Sequence, residues 1–197
     1  MPQKAPMPDL LDLADSIVIA DGDTYILSYR HLVAHFQSKQ IYTDTDFVCG
    51  AHMVYGWMPT ILKLHPEPPG ISFDTAAQLL TRAKSTRTLS RSEMDQLADI
   101  MNNSLVGLSK LLHFVAPDSF AIWDSRIYTY LHKKEPSHHQ VRDLKAYDNY
   151  HTVLRSHKQD QRFERFHRTV NQKVGYDVSP FRALELVMFQ NSAATGV

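Results

Sequence analysis

The sequence predicts an all-α protein of eight to ten helices, and three observations support this class. Glycine is scarce, with 7 among 197 residues. Apolar side chains recur at helical spacing through most of the chain, and no stretch alternates polar and apolar residues well enough to predict a strand. With 43% hydrophobic residues, the chain can bury a sizeable core. We therefore expect one domain over 1–197, with its helices in two lobes around a cleft.

Local signals place the individual helices. Pro59 is expected to kink or break the third helix, and the proline-rich stretch 65–74 forms a connector. Ser90 with Glu93 three residues later has the pattern of a capping box, and Pro180 directly after a serine marks the start of the last helix. The predicted helices span about residues 8–19, 26–39, 44–63, 74–86, 90–102, 104–115, 125–133, 139–158, 161–174 and 179–192.

The composition excludes several classes of protein. Cys49 is the single cysteine, which rules out an internal disulfide and a cysteine-rich metal site and favours a reducing, cytoplasmic compartment. No apolar run approaches the roughly 20 residues of a membrane span, and the first residues lack the pattern of a signal peptide. His31 and His35 have metal-ligand spacing on a helix but no adjacent glutamate, so we expect no metal site.

The formal net charge is zero, but the charges are unevenly distributed. Residues 126–173 carry eleven Lys or Arg and five Asp or Glu, a net of +6, and six of the eleven histidines. Residues 1–125 carry a net of −5. This asymmetry indicates a basic face for an anionic partner, and the alternative is an ordinary solvated helical surface.

Four basic residues within the basic segment fall at helical spacing. They are Arg155, Lys158, Arg162 and Arg165. Such a stripe is typical of phosphate binding by nucleic-acid-binding proteins. The alternative is a solvated amphipathic helix that packs through its phenylalanine side.

Asp124 stands out in the segment 102–132. A helix ends near Asn102, a turn follows, and a second helix carries Lys110 before Asp124 occupies the start of the next helix. A fixed carboxylate in a partly dry site can stabilise an oxocarbenium-like transition state and orient or deprotonate water. The alternative is that Asp124 only caps its helix, as aspartate often does.

The order of elements over 102–132 resembles the helix-hairpin-helix superfamily of DNA glycosylases. The stretch "LVGLSK" corresponds to the hairpin and "WDSRI" to the context of the catalytic aspartate. Together with "MVYGWMPT" upstream and "SPFRALELVMF" at the end, these stretches look like a small group of bacterial proteins of about this length. Some members of that group are phage-defence DNA glycosylases that remove a glucosylated hydroxymethylcytosine and leave an abasic site.

The resemblance implies roles for several residues. Asp124 takes the catalytic position, and Gly107, Ser109 and Lys110 take the part of the hairpin that binds a DNA phosphate, with Arg126 as a further DNA contact. Lys110 also lies near the Schiff-base lysine of bifunctional members, and the alternatives for it are a phosphate anchor or a surface residue. Here the hairpin has Gly107 as its one glycine, and the spacing of fourteen from Lys110 to Asp124 is a few residues shorter than is usual. The register of Lys110 against that lysine is ambiguous by one or two residues, so we expect a monofunctional enzyme.

A base-flipping enzyme needs an aromatic and polar pocket for the extruded base. The residues expected to line it are Trp57, Tyr55, His52, His113 and Trp123. The alternative for Trp57 and Tyr55 is a place in the core or between lobes. Arg182 and Glu185, one turn apart, are expected to form a structural pair.

The resulting hypothesis is a monomeric helix-hairpin-helix DNA glycosylase. It would act on double-stranded DNA with modified bases, remove one such base and leave an abasic site, and need no cofactor. The alternative function is a non-catalytic helical module that binds nucleic acid or protein, with Asp124 as a helix cap.

Overall fold

Ten α-helices and one 3-10 helix make up the regular structure of residues 9–66 and 70–192, the parts of the chain that the computed structural model describes. No strand occurs within these ranges, where the one β-bridge joins Leu64 and Met101. The predicted all-α class is therefore confirmed. After the 3-10 helix Leu10–Ser16, the helices are α1 Thr24–Gln37, α2 Asp44–Trp57, α3 Phe73–Thr86, α4 Arg91–Ile100, α5 Leu105–Val115, α6 Ser125–His132, α7 His138–Val141, α8 Leu144–Lys158, α9 Phe163–Val174 and α10 Pro180–Asn191.

Side-chain caps define most of the helix starts, as the sequence predicts. The capping box of Ser90 and Glu93 is present at α4, because each side chain accepts a hydrogen bond from the other residue's backbone N–H. Ser179 caps α10 through a hydrogen bond from the Arg182 N–H, and Pro180 occupies the first turn.

Three predicted elements differ from the observed ones. The first is a 3-10 helix rather than an α-helix. The predicted helix 44–63 ends at Trp57, because Pro59 lacks the N–H that a continuing helix requires. The predicted helix 139–158 is divided, because the Asp143 carboxylate accepts the Lys145 N–H and thereby starts α8 anew. Of the predicted connector 65–74, residues 67–69 lie outside the described ranges.

Two helices carry most of the buried surface that shapes the site. Nine of the eleven residues of α5 are buried, and α5 packs against α1, α2, α3 and α4. Eight consecutive residues of α10, 181–188, are also buried, against α6, α8, α9 and the 3-10 helix. Polar residues on α5 and α10 are therefore drawn into the interior, where charge is poorly screened. None of the described helices is long and apolar enough to cross a membrane.

Candidate active site

A cleft of about 410 Å³ opens where α1, α2, α5, α6 and α10 converge. This volume falls within the range of roughly 300–1,000 Å³ that small-molecule sites occupy. The lining combines apolar and aromatic side chains with five buried or half-buried charged groups and one exposed arginine. The lining residues are Asp23, Tyr25, Ile26, Trp57, Met58, Lys110, Ile122, Asp124, Arg126, Arg182, Glu185, Leu186, Phe189 and Gln190.

Lys110 and Asp124 meet in this cleft, although they are fourteen positions apart in the sequence. The Lys110 Nζ atom lies 3.5 Å from Asp124 Oδ2, and the side chains are 12% and 14% exposed. A charged pair that is this well covered is screened less by water than a surface pair. The structure thus brings the two predicted catalytic positions together and leaves both in contact with the cavity.

The residues just before Lys110 and Asp124 also contact each other, and this second contact determines which residues of the two segments face each other. Ser109 precedes Lys110 on α5, and Trp123 precedes Asp124 in the loop before α6. The Ser109 hydroxyl accepts a hydrogen bond from the Trp123 N–H at 3.0 Å, and the same hydroxyl lies 3.2 Å from the Trp123 carbonyl oxygen. Ser109 and Trp123 are fully buried, so this junction holds the loop against α5 and sets Asp124 beside Lys110.

Asp124 is both a helix cap and a cleft residue. Its Oδ1 atom accepts hydrogen bonds from the N–H groups of Arg126 and Ile127, at 3.0 and 3.1 Å. Its Oδ2 atom makes the contact with Lys110. Because the cap fixes the carboxylate in orientation, one oxygen is held by α6 while the other is presented to the cavity.

Arg182 and Glu185 form a second charged pair at the same cleft. Arg182 Nη1 donates a hydrogen bond to Glu185 Oε2, and the side chains are 6% and 2% exposed. Burial raises the pKa of the Glu185 carboxyl, Arg182 opposes that rise, and the nearby Asp124 charge adds to it. The pair was predicted, but as structure only. The signal that it lines a site was the presence of two opposite charges within an apolar helix.

Aromatic rings form the wall of the cleft. Trp57 and Tyr25 contact edge to face, with centroids 5.6 Å apart. The Arg182 guanidinium lies 5.8 Å from the Trp57 ring centroid, and the Arg126 guanidinium lies 4.4 Å from that of Phe189. Trp57 is therefore a cleft residue, as the pocket hypothesis requires, whereas Tyr25 and Phe189 were not identified from the sequence.

The other residues predicted to line the pocket lie elsewhere. Tyr55 is buried and donates a hydrogen bond to the Met101 carbonyl oxygen, and His52 is exposed on α2 outside the cleft. His113 is fully buried between Tyr29 and the Phe120 carbonyl oxygen. Trp123 supports the cleft from behind rather than lining it, since its indole N–H donates to the Val141 carbonyl oxygen. None of these four side chains is among the residues that line the cleft.

The hairpin glycine and serine also have interior roles. The Gly107 N–H donates to the Ser104 hydroxyl at 3.1 Å, so it is not free to bind a phosphate. A side chain at position 107 would overlap the Tyr55 ring, which explains the glycine by packing. Ser109 is enclosed by its contacts with Trp123 and the Val106 carbonyl oxygen. The Gly107 N–H and the Ser109 hydroxyl therefore both have hydrogen-bond partners within the protein, and phosphate binding at this turn stays a prediction.

The predicted basic stripe is divided between two helices. Arg155 and Lys158 are exposed on the last turn of α8, and Arg165 is exposed on α9. Arg162 lies between the helices, and its guanidinium pairs with Asp9 at 2.7 Å and Asp160 at 2.8 Å. The positive charge of Arg162 is thus already compensated, which leaves Arg155, Lys158 and Arg165 as exposed cations. Arg126, the remaining predicted DNA contact, lies at the cleft itself.

Comparisons with known protein families, with curated proteins and with solved structures found no match for this chain.

Proposed function

We propose that the protein is a DNA glycosylase that hydrolyses the N-glycosidic bond of a modified base extruded into the cleft. The observation that carries the proposal is the contact between Lys110 and Asp124 within a cavity walled by aromatic rings. Enzymes that act on a base extrude it from the duplex and hold it by stacking and polar contacts. Trp57, Tyr25 and Phe189 supply surfaces of that kind here.

The position of Asp124 suits the charge that develops when a glycosidic bond breaks. Departure of the base leaves positive charge on the sugar, and a nearby carboxylate in a weakly screened site stabilises that charge. Asp124 Oδ1 is fixed by two backbone N–H groups, so Oδ2 needs no reorganisation before the reaction. The helix cap therefore also orients the carboxylate for the reaction.

The proposed hydrolysis balances without a cofactor. The bond between the sugar carbon and the base nitrogen breaks, and its electron pair leaves with the base. A water oxygen forms the new bond to the sugar carbon, and Asp124 accepts the proton that this water gives up. The departing base nitrogen takes up a proton from solvent, and Asp124 later returns its own proton to solvent. The products are the free base and an abasic site.

Lys110 contributes a positive charge next to the catalytic carboxylate. In this geometry it can hold Asp124 in place and attract the DNA phosphate beside the extruded nucleotide. The same nitrogen could attack the sugar directly if it first lost a proton to Asp124. Borohydride trapping separates these roles, because only a Schiff base between Lys110 and the sugar gives a covalent complex.

We expect a duplex to bind along the exposed cations. Arg126 lies at the cleft, and Arg155, Lys158 and Arg165 belong to the basic segment 126–173. Cations of this kind bind the phosphate backbone without regard to sequence, so we expect affinity to fall steeply with salt. Base selection would then depend on the cleft.

The test compares Asp124→Asn with Asp143→Asn on duplexes that each contain one modified base. Both aspartates cap a helix through their side chains, but Asp143 is exposed at α8 and does not line the cleft. The panel contains deaminated, alkylated and glucosylated hydroxymethylcytosine bases, and abasic sites are detected by alkaline cleavage. We expect Asp124→Asn to lose about 100-fold or more in rate, while Asp143→Asn keeps the wild-type rate.

Wild-type rates in Asp124→Asn would exclude this carboxylate from the chemistry. A wild-type protein that binds DNA yet releases no base from any duplex would instead favour the non-catalytic binding module.

A further inference from the structure

We propose that Glu185 and Arg182, here called the reading pair, form the hydrogen bonds that recognise the bound base. The cleft then selects bases with an amino group next to an unprotonated ring nitrogen. Cytosine-type and adenine-type bases have this edge. The inference rests on the proposed function for the identity of the ligand, but it concerns recognition rather than bond cleavage. It identifies Glu185 as a specificity-determining residue.

The first observation is that Glu185 has spare capacity to accept hydrogen bonds. Its carboxylate is 2% exposed and lines the cleft, and Arg182 is its one hydrogen-bond partner among the described residues. A carboxylate can accept about four hydrogen bonds, and a buried one that accepts few is costly to keep charged. A ligand N–H donor would supply the missing partner, which makes the site selective for such a donor.

The second observation is that four other polar side chains at the cleft already have partners. The Gln190 side chain both accepts from the Val18 N–H and donates to the Val18 carbonyl oxygen. Asp23 accepts from two backbone N–H groups at the start of α1. Lys110 and Asp124 engage each other. The Arg182–Glu185 pair is therefore the polar element best placed to distinguish one base from another.

The arrangement of acceptor and donor in the Arg182–Glu185 pair determines which edge of a base it can bind. Glu185 is an acceptor and Arg182 a donor, and their direct hydrogen bond holds them side by side. An amino group donates to a carboxylate, and an unprotonated ring nitrogen accepts from a guanidinium. Where a keto group replaces the amino group, its oxygen would face the Glu185 carboxylate, and both would be acceptors.

Packing holds the pair in place. The Arg182 guanidinium lies 4.9 Å from the Tyr29 ring centroid and 5.8 Å from that of Trp57. Trp57 also lines the cleft, so one aromatic residue both positions the reading pair and offers an edge or face to the ligand. A rigid acceptor and donor beside an aromatic wall discriminate better than mobile ones, because they cannot adjust to the wrong edge.

The test measures binding of four free bases by calorimetry. The ligands are 1-methylcytosine against 1-methyluracil, and 9-methyladenine against 9-methylhypoxanthine. Each pair differs in the amino or keto group and the protonation of the neighbouring ring nitrogen, and the methyl group stands where the sugar would be attached. No glycosidic bond is present, so the measurement is independent of catalysis.

We expect the wild-type protein to bind the amino member of each pair about tenfold or more tightly than the keto member. In Glu185→Gln, whose amide can still accept from Arg182 but also donates, we expect the preference to fall below threefold or to reverse. Circular dichroism confirms that the variant is folded. Equal wild-type affinities within each pair, no binding of any ligand at millimolar concentration, or an unchanged preference in folded Glu185→Gln would each overturn the inference.

The outcomes separate this inference from the proposed function. A preference for amino bases that depends on Glu185, without release of any base from DNA, would support the reading pair and reject the glycosylase. Base release without such a preference would support the glycosylase and reject the reading pair.

Discussion

The Ser109 hydroxyl accepts a hydrogen bond from the Trp123 N–H at 3.0 Å, one residue before the contact between Lys110 and Asp124 on both segments. Both contacts join α5 to the loop before α6, and the two partners in each are fourteen positions apart. A buried hydroxyl thereby controls the position of a carboxylate that it does not touch. Ser109 is a positioning residue in the proposed mechanism.

We expect Ser109→Ala to lower both stability and activity. The change leaves the buried Trp123 N–H without its acceptor, which costs about 1–3 kcal/mol in the free energy of unfolding. The loop that carries Asp124 also loses its attachment to α5, so base release should slow even where the variant is folded. Urea unfolding and the rate of abasic-site formation measure the two effects.

Ser85→Ala is the matched control for this change. The Ser85 hydroxyl donates to the Arg82 carbonyl oxygen three residues earlier, at an exposed position that is not part of the cleft lining. We expect it to change stability by less than about 0.5 kcal/mol. If Ser109→Ala were as harmless as this control, Ser109 would not position Asp124.

Gly107 is required by packing, and its replacement should destabilise the protein. A Cβ atom at this position would lie 2.3 Å from Tyr55 Oη and 2.7 Å from ring atoms of Tyr55. Tyr55 is buried and donates a hydrogen bond to the Met101 carbonyl oxygen, so its ring cannot easily move aside. We expect Gly107→Ala to lower the free energy of unfolding by about 1–3 kcal/mol, measured by urea unfolding.

At Gly56, a second helical glycine, replacement by alanine should have the opposite effect and raise the free energy of unfolding. Nothing lies within 4 Å of a Cβ atom at position 56, which is exposed near the end of α2. Alanine has the higher helix propensity, so this variant should gain about 0.5–1 kcal/mol. Equal effects of the two replacements would refute the packing explanation for Gly107.

The fold class could be predicted because it depends on local signals. Capping residues such as Ser90 and the proline that follows Ser179 act within one turn of helix, so they can be recognised in the sequence alone. The division of the predicted helix 139–158 was missed, because an aspartate inside a helical pattern is ambiguous. An aspartate such as Asp143 can lie within a continuous helix or cap the start of a new one, and tertiary contacts decide between the two.

The site could be predicted only in part, for the same physical reason. Asp124 and Trp57 were identified because each stands out from its local surroundings. His113 was expected at the pocket but is buried, and Glu185 was expected to be structural but lines the cleft. Which side of a helix faces a cavity depends on how helices pack, and that information is long-range in the chain.

Two buried histidines should make the protein less stable in mild acid. Burial lowers the pKa of His113 to about 3 and that of His151 to about 4, from an ordinary value of 6.5. Below about pH 6.5 the two histidines therefore bind protons in the unfolded chain but not in the folded chain. Stability is fully present above pH 6.5 and falls as the pH falls, by about 2 kcal/mol for each histidine at pH 5.

His151→Gln tests this pH dependence. Its side chain can still accept a hydrogen bond from the Ala121 N–H but carries no titrating group. Urea unfolding at pH 7.5 and pH 5 should show a loss about 2 kcal/mol smaller in the variant than in the wild type. The comparison cancels other groups, including Glu185, whose raised pKa acts in the opposite direction. An identical pH dependence in both proteins would contradict the assignment.

Two tyrosines three residues apart on α8 should respond oppositely to loss of the hydroxyl group. Tyr147 and Tyr150 are both buried, and both rings contact Trp123. The Tyr147 hydroxyl donates to the Ala121 carbonyl oxygen at 2.9 Å. The Tyr150 hydroxyl has no hydrogen-bond partner among the described residues, and burial together with the Glu185 and Asp124 charges raises its pKa.

We expect Tyr147→Phe to lower the free energy of unfolding by about 1–3 kcal/mol, because a buried carbonyl loses its donor. Tyr150→Phe removes a hydroxyl that is already unpaired, so stability should stay the same or rise by about 1 kcal/mol. Urea unfolding of the two variants under the same conditions measures the difference, and each acts as the control for the other. A loss in Tyr150→Phe as large as that in Tyr147→Phe would mean that the Tyr150 hydroxyl has a partner in solution, and an ordered water between it and the Glu185 and Asp124 carboxylates would be the first candidate.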